Sequence, residues 1–115
     1  MSEIKNLLQK INQFIADREW GPFQQPKDLA ISLALESSEV LEHFQWKNGD
    51  QLQKYLKSHK DEIGDELADV FIYLLELSQN LGVDLCEAAY KKIEKNALKY
   101  PVDKAKGNNK KYTEF

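Results

Sequence analysis

Cysteine is almost missing from this chain. Cys86 is the only one in 115 residues. That excludes an intrachain disulfide framework and any zinc site built on cysteines. A single thiol fits a reducing cytosol, and Cys86 reads as inert packing rather than chemistry. Long apolar runs are missing too: none approaches the ~20 residues that cross a bilayer. The N-terminal stretch MSEIKNLLQKINQF mixes charged and apolar residues and has no apolar core of a secretory signal. A soluble cytoplasmic protein without a membrane partner is expected. Histidine is scarce, and neither copy completes the Glu-x-x-His motif of di-iron carboxylate bundles, since Val40 precedes His43 by three and Leu56 precedes His59 by three. Basic charge is thin over most of the length: residues 1–90 carry eight basic and sixteen acidic side chains, whereas residues 91–115 carry eight and three. An acidic body argues against nucleic acid as a partner.

No segment alternates convincingly as a strand, whereas helical spacing is everywhere. Ile4, Leu7, Leu8, Ile11, Phe14 and Ile15 follow the three-four pattern of an amphipathic helix, with Ser2 as its cap. Gly21, Pro22 and Pro26 then interrupt the pattern in an aromatic loop holding Trp20 and Phe23. A second helix is predicted from about Lys27 to Trp46, followed by a turn at 47–50 and a short helix or excursion at QLQKYLK. Ser58 with Asp61 resembles a capping box opening a third long helix that ends near Leu81, with Gly82 just past its end. Asp84 with Glu87 opens a fourth, closing near Tyr100 before Pro101. The predicted fold is all-α: a bundle of four to five helices in one domain over 1–100. A polar, lysine-rich tail at 101–115 is expected to be loosely ordered.

The chemistry concentrates in two acidic pairs of equal spacing, Glu36-x-x-Glu39 and Glu66-x-x-Asp69. Residues three apart share a helix face, so each pair aims two carboxylates one way. On a wheel of ~100° per residue, Glu62, Glu66, Asp69 and Tyr73 occupy a sector of roughly 60°, with Glu76 beside it and apolar residues nearly all around. Glu36, Glu39 and His43 likewise share a sector of the second helix, flanked by apolar residues. One such pair alone reads most simply as a solvated face. Two matched pairs in apolar arcs point instead to four carboxylates around one small volume, which is unstable unless a cation occupies it. All-oxygen ligation favours Mg²⁺ or Mn²⁺. At this level three functions stay open: a metal-dependent enzyme, a metal-binding bundle without turnover, and a non-catalytic helical interaction module. The wide apolar back of the third helix, through Phe71, Ile72 and Leu75, calls for a second layer, so a homodimer or a dimer of dimers is expected.

From about Asp17 to Gly107 the residues resemble a known family. The carriers are DREWGPFQQPKDLAISLALESSEVLEHFQW, DELADVFIYLLELSQNLGVDL and KKIEKNALKYP. Together they are similar to the MazG-like, all-α nucleoside triphosphate pyrophosphohydrolases, in the branch of the small dCTP-pyrophosphatase-type proteins. The resemblance implies cleavage between the α- and β-phosphates of a nucleoside triphosphate, giving a monophosphate and pyrophosphate and cleansing the nucleotide pool. It implies that Glu36, Glu39, Glu66 and Asp69 hold Mg²⁺ and carry the catalysis. It also implies that Tyr73 lines the substrate pocket, that Lys92 and Asn96 lie near the triphosphate, and that Trp20 and Trp46 lie near the base. Phe23 reads as core, and His43 equally as structural or catalytic. Two residues depart from the branch pattern F-H-x-P-x-N-L: Gln24 stands in place of the histidine and Asp28 in place of the asparagine. They leave base and sugar preference open.

Overall fold

The computed structural model of the protein describes residues 2–115. Its elements are six α-helices and two short 3-10 turns, with no strand among the described residues. Helix α1 (Glu3–Asp17) starts where the Ser2 side chain accepts a hydrogen bond from the Lys5 backbone N–H at 3.2 Å, satisfying one of the free donors of the first turn. The loop that follows contains the 3-10 turn Gly21–Phe23, and α2 (Pro26–Glu42) begins with Pro26 in its first turn. Proline suits that position because the N–H it lacks would have no partner there. Asn80 Nδ2 donates to the Gln24 carbonyl at 2.9 Å and pins this loop to the far end of α4.

Helix α2 stops at Glu42, earlier than the pattern predicts. His43 to Trp46 form turns, and Trp46 sits in the left-handed region at φ 67°. The segment read as a short helix or an excursion is a helix, α3 (Gly49–Ser58). Helix α4 (Lys60–Asn80), ~31 Å long at 1.5 Å per residue, follows after His59. The expected capping box at its start is not formed. Ser58 closes α3 instead, its hydroxyl donating to the Tyr55 carbonyl at 3.1 Å. Gly82 takes φ 70° just beyond the end of α4, where a side chain would be strained.

The chain divides into two compact units, one up to Gly82 and one from Val83 to Phe115. In the first, α2 lies along α4 as the main pairing, and α1 and α3 also pack on α4. Its core is small: Ile11, Leu29 and Leu75 are the buried apolar side chains among the described residues. Leu75 is 1% exposed, so it already has cover within one chain. Phe71 at 40%, Leu67 at 53% and Leu35 at 60% do not. Phe23, expected in the core, is 69% exposed.

The second unit holds α5 (Leu85–Lys99), opened by Asp84, whose carboxylate accepts from the Glu87 N–H at 3.0 Å as its sequence position predicts. Cys86 is exposed on this helix rather than packed. The tail is more structured than its composition suggests. It forms the one-turn helix α6 (Val102–Ala105) and a 3-10 turn at Tyr112–Glu114. Tyr112 and Phe115 set their rings edge-on to Tyr100, at 6.0 and 5.8 Å. Lys99 Nζ lies 5.0 Å from the Tyr112 ring.

Candidate active site

The α2–α4 pairing decides which acidic side chains meet. Glu36 and Glu39 share one face of α2, and Glu66 and Asp69 share one face of α4. The Glu36 carboxyl is raised above the ordinary carboxylate range, chiefly by burial. A hydrogen bond with Glu39 adds to this, and so do the negative charges of Glu39, Asp69 and Glu66. The other three predicted carboxylates are thus each within electrostatic reach of Glu36.

The convergence is looser than the sequence implies. Among the described residues no three acidic, histidine or cysteine side chains stand close enough to form a ready-made metal cage. Like charges in a partly sheltered cleft separate unless a proton or cation lies between them. The donor chemistry still fits a hard divalent ion. Oε2 of Glu36 is sheltered from solvent and finds no hydrogen-bond partner, an arrangement that costs stability unless something positive approaches. Glu62 is exposed in the first turn of α4, outside the group that perturbs Glu36.

A second set of side chains lies behind Glu66. Oε2 of Glu66 is 2.5 Å from Nε2 of His43. This is an ionic approach rather than an aligned hydrogen bond, since the same oxygen has no hydrogen-bond partner. The other ring nitrogen of His43 lies 2.7 Å from the Tyr55 hydroxyl. One ring nitrogen of His43 thus faces the Glu66 carboxylate and the other the Tyr55 hydroxyl. Tyr55 stacks on His59 with ring centroids 3.9 Å apart, and Lys47 Nζ sits 4.2 Å from the Tyr55 centroid on α3. The sequence marks His43 by its sector. It gives no sign of Tyr55, which reaches the site from a separate helix.

A cleft of about 450 Å³ opens beside the acidic group, between α1, the 20–24 loop and α4. Its apolar wall includes Ile11, Phe14, Trp20 and Ile72. Phe14 and Trp20 meet edge to face at 5.8 Å. Asp69 and Tyr73 line the same cleft and join it to the carboxylates. The Tyr73 phenol is held above its usual range by burial first, then by the charges of Glu76 and Glu36, with a Ser32 hydrogen bond pulling the other way and Asp69 adding a smaller push. Tyr73 therefore lies between Asp69 and Glu76 along α4 and feels both, together with Glu36. Glu76 also lines the cleft, and burial raises its carboxyl above the ordinary range.

The nine predicted site residues thus separate. Glu36, Glu39, Glu66 and Asp69 form one neighbourhood, and Tyr73 and Trp20 line the adjoining cleft. Trp46 is outside that cleft, 87% exposed on the turn after α2. Lys92 and Asn96 are exposed one turn apart on α5, in the second unit.

Comparison with known proteins follows the same stretch of chain. The MazG-like family profile matches residues 31–115. Over 105 residues the chain is 36% identical to dCTP pyrophosphatase 1 of Mus musculus and to that of Homo sapiens, which covers 90% of this chain. The chain spans 62% of the length of these curated relatives. The crystal structure of a pyrophosphatase from Archaeoglobus fulgidus is similar in fold with a TM-score of 0.83 and 37% identity, over 88% of this chain and 94% of that one. Both acid pairs lie within the profile match, and the helical arrangement that brings them together is shared with a solved structure. The chain belongs to the MazG-like family.

Proposed function

We propose that the protein is a nucleoside triphosphate pyrophosphohydrolase that cleaves between the α- and β-phosphates and acts in the cytoplasm to cleanse the nucleotide pool. The observation that carries this is the neighbourhood of four carboxylates beside an aromatic-walled cleft. The names of the relatives, dCTP pyrophosphatase 1 and a pyrophosphatase, point the same way.

Glu36, Glu39, Glu66 and Asp69 would hold a divalent cation, Mg²⁺ or alternatively Mn²⁺, which when bound would offset the polyphosphate charge and lower the pKa of a bound water. In the reaction a water oxygen bonds to the α-phosphorus and the bond from that phosphorus to the bridging oxygen breaks. Nucleoside monophosphate and pyrophosphate result. The water's proton passes to one of the four carboxylates. Tyr73 positions the nucleotide between cleft and carboxylates, and Trp20 offers a face for stacking on the base.

The protein works as a homodimer or a dimer of dimers. Leu35, Leu67 and Phe71 expose too much apolar surface for a chain whose first unit buries so little. The functional test is pyrophosphate release from a panel of triphosphates with Mg²⁺, wild type against Glu66→Gln. Release that depends on Glu66 is expected. No release from any canonical or modified nucleotide would favour a non-catalytic helical module.

A further inference from the structure

We propose that Glu76, seconded by Gln24, reads the base of the nucleotide and selects bases that carry an exocyclic amino group. The inference rests on the nucleotide reading above and deepens it at a place where this chain departs from the pattern of its branch.

The cleft beside the carboxylates is mostly apolar, and a flat ring fits between such walls. Two polar atoms interrupt them. Oε1 of Gln24 and Oε2 of Glu76 are both sheltered from solvent, both belong to residues lining the cleft, and neither has a hydrogen-bond partner. A sheltered acceptor without a donor destabilises the folded chain. Their persistence in one cleft is explained if a ligand supplies the missing donors.

The two acceptors differ in what they tolerate. A carboxamide can turn its –NH₂ inward in place of its oxygen, so Gln24 adapts to either kind of partner. An ionised carboxylate cannot; it only accepts. Glu76 is therefore the atom set that discriminates. Cytosine, adenine and guanine each present an amino group that can donate to it. Thymine and uracil have a carbonyl oxygen in place of cytosine's amino group, which would face the carboxylate with like partial charge in a sheltered site. Burial raises the Glu76 carboxyl, and a protonated carboxyl would not discriminate, because it pairs with the O4 and N3–H of thymine or uracil as readily as with the ring nitrogen and amino group of cytosine. The preference is therefore a property of the ionised carboxylate.

Position supports the assignment. Glu76 lies two turns along α4 from Asp69, and Tyr73 lies between them and feels both charges. A nucleotide whose phosphates lie at the carboxylates would run its sugar past Tyr73 and its base toward Glu76. The Gln24 loop is pinned to α4 through Asn80, so its side chain faces the base from a fixed support.

The test uses the full chain and two independent readouts. The first is kcat/KM with Mg²⁺ for dCTP, dATP and dGTP against dTTP and dUTP, in wild type and Glu76→Gln. At least about a tenfold preference for dCTP over dTTP and dUTP is expected in wild type, with Glu76→Gln narrowing it because its amide can donate to a carbonyl. The second is metal-free binding of dCMP and dUMP, followed by quenching of tryptophan fluorescence, with dCMP the tighter ligand. Equal use of dCTP and dTTP by the wild type overturns the proposal, as does an unchanged ratio in a folded Glu76→Gln. If no triphosphate is hydrolysed, the pyrophosphohydrolase reading fails. The binding ratio of dCMP to dUMP then decides base selection by itself: equal affinities overturn it, and tighter dCMP sustains it.

Discussion

Nε2 of His43 stands 2.5 Å from Oε2 of Glu66, and its other nitrogen lies 2.7 Å from the Tyr55 hydroxyl. One side chain thereby ties a candidate metal ligand on α4 to helix α3. Carboxylate ligands depend on such outer partners for orientation, and loss of one typically costs ~10–100-fold in metal affinity or activity. His43→Leu is expected to weaken divalent binding by roughly that factor, measured by calorimetric titration with Mn²⁺. Tyr55→Phe keeps the ring on His59 and removes only the hydroxyl, so its loss should be smaller. Tighter metal binding by His43→Leu would show the imidazole acting as a competing positive charge instead.

The acid pairs should work against the stability of the chain that carries them. Glu36 is pushed up by burial and by three neighbouring carboxylates, which means that its negative charge is unfavourable where it stands. Glu36→Gln is expected to raise Tm in chelator while abolishing most pyrophosphate release. The wild type should regain stability when Mg²⁺ is added, because a ligand that binds only the folded state stabilises it by mass action. The variant should gain much less. Thermal melts with and without Mg²⁺ at one protein concentration check this. Equal gains in the two proteins would remove Glu36 from the metal site.

Much of this arrangement is legible in the residues, and what is not has a physical cause. Periodicity reports which face of a helix each side chain occupies, so the Glu36/Glu39 and Glu66/Asp69 stripes and their flanking apolar arcs could be read directly. Local capping chemistry was equally readable at Ser2, Asp84 and Gly82. Periodicity does not say which helix a face will meet. The Tyr55–His43–Glu66 contact depends on α3 folding against α4, and Tyr55 in QLQKYLK looks like any half-buried aromatic. Glu76 was visible beside the acidic sector, but only the fold shows that it lines the cleft with Gln24 and without a partner. Ser58 illustrates the competing case: its hydroxyl satisfies the Tyr55 carbonyl behind it rather than capping the helix ahead. The order of the tail is hidden in the sequence for a similar reason. Its lysines suggest solvation, whereas Tyr112 and Phe115 find the Tyr100 ring.

Exposed apolar side chains on the two central helices make assembly testable. Leu67 and Phe71 lie one turn apart on α4 and stay exposed in the single chain. Phe71→Asp is expected to convert an oligomer into a species near the 13.3 kDa chain mass in light scattering. Helicity and Tm should fall with it, because the first unit alone buries only Ile11, Leu29 and Leu75 among its described apolar residues. A wild-type protein that is monomeric in dilution with full helicity would remove the oligomer.

Glu76 gives a pH dependence whose sign can be worked out. Burial raises its carboxyl, so the folded chain holds that proton more tightly than the unfolded chain does. The stability from this protonation is complete below the ordinary carboxylate pKa. It is lost as pH rises through the window between the ordinary value and the raised folded one. Glu76→Gln cannot ionise and has no such loss. At neutral pH the variant should therefore melt above the wild type, and the gap should close as the pH falls below the carboxylate range, about 4. Melts of both proteins from about pH 4 to about pH 8, at fixed protein concentration and without metal, measure the gap directly. A constant gap would mean that Glu76 titrates alike in both states and is not sheltered. A gap that closes with acid, together with an altered base preference in the same variant, would show a carboxyl kept in an unfavourable place for what it binds.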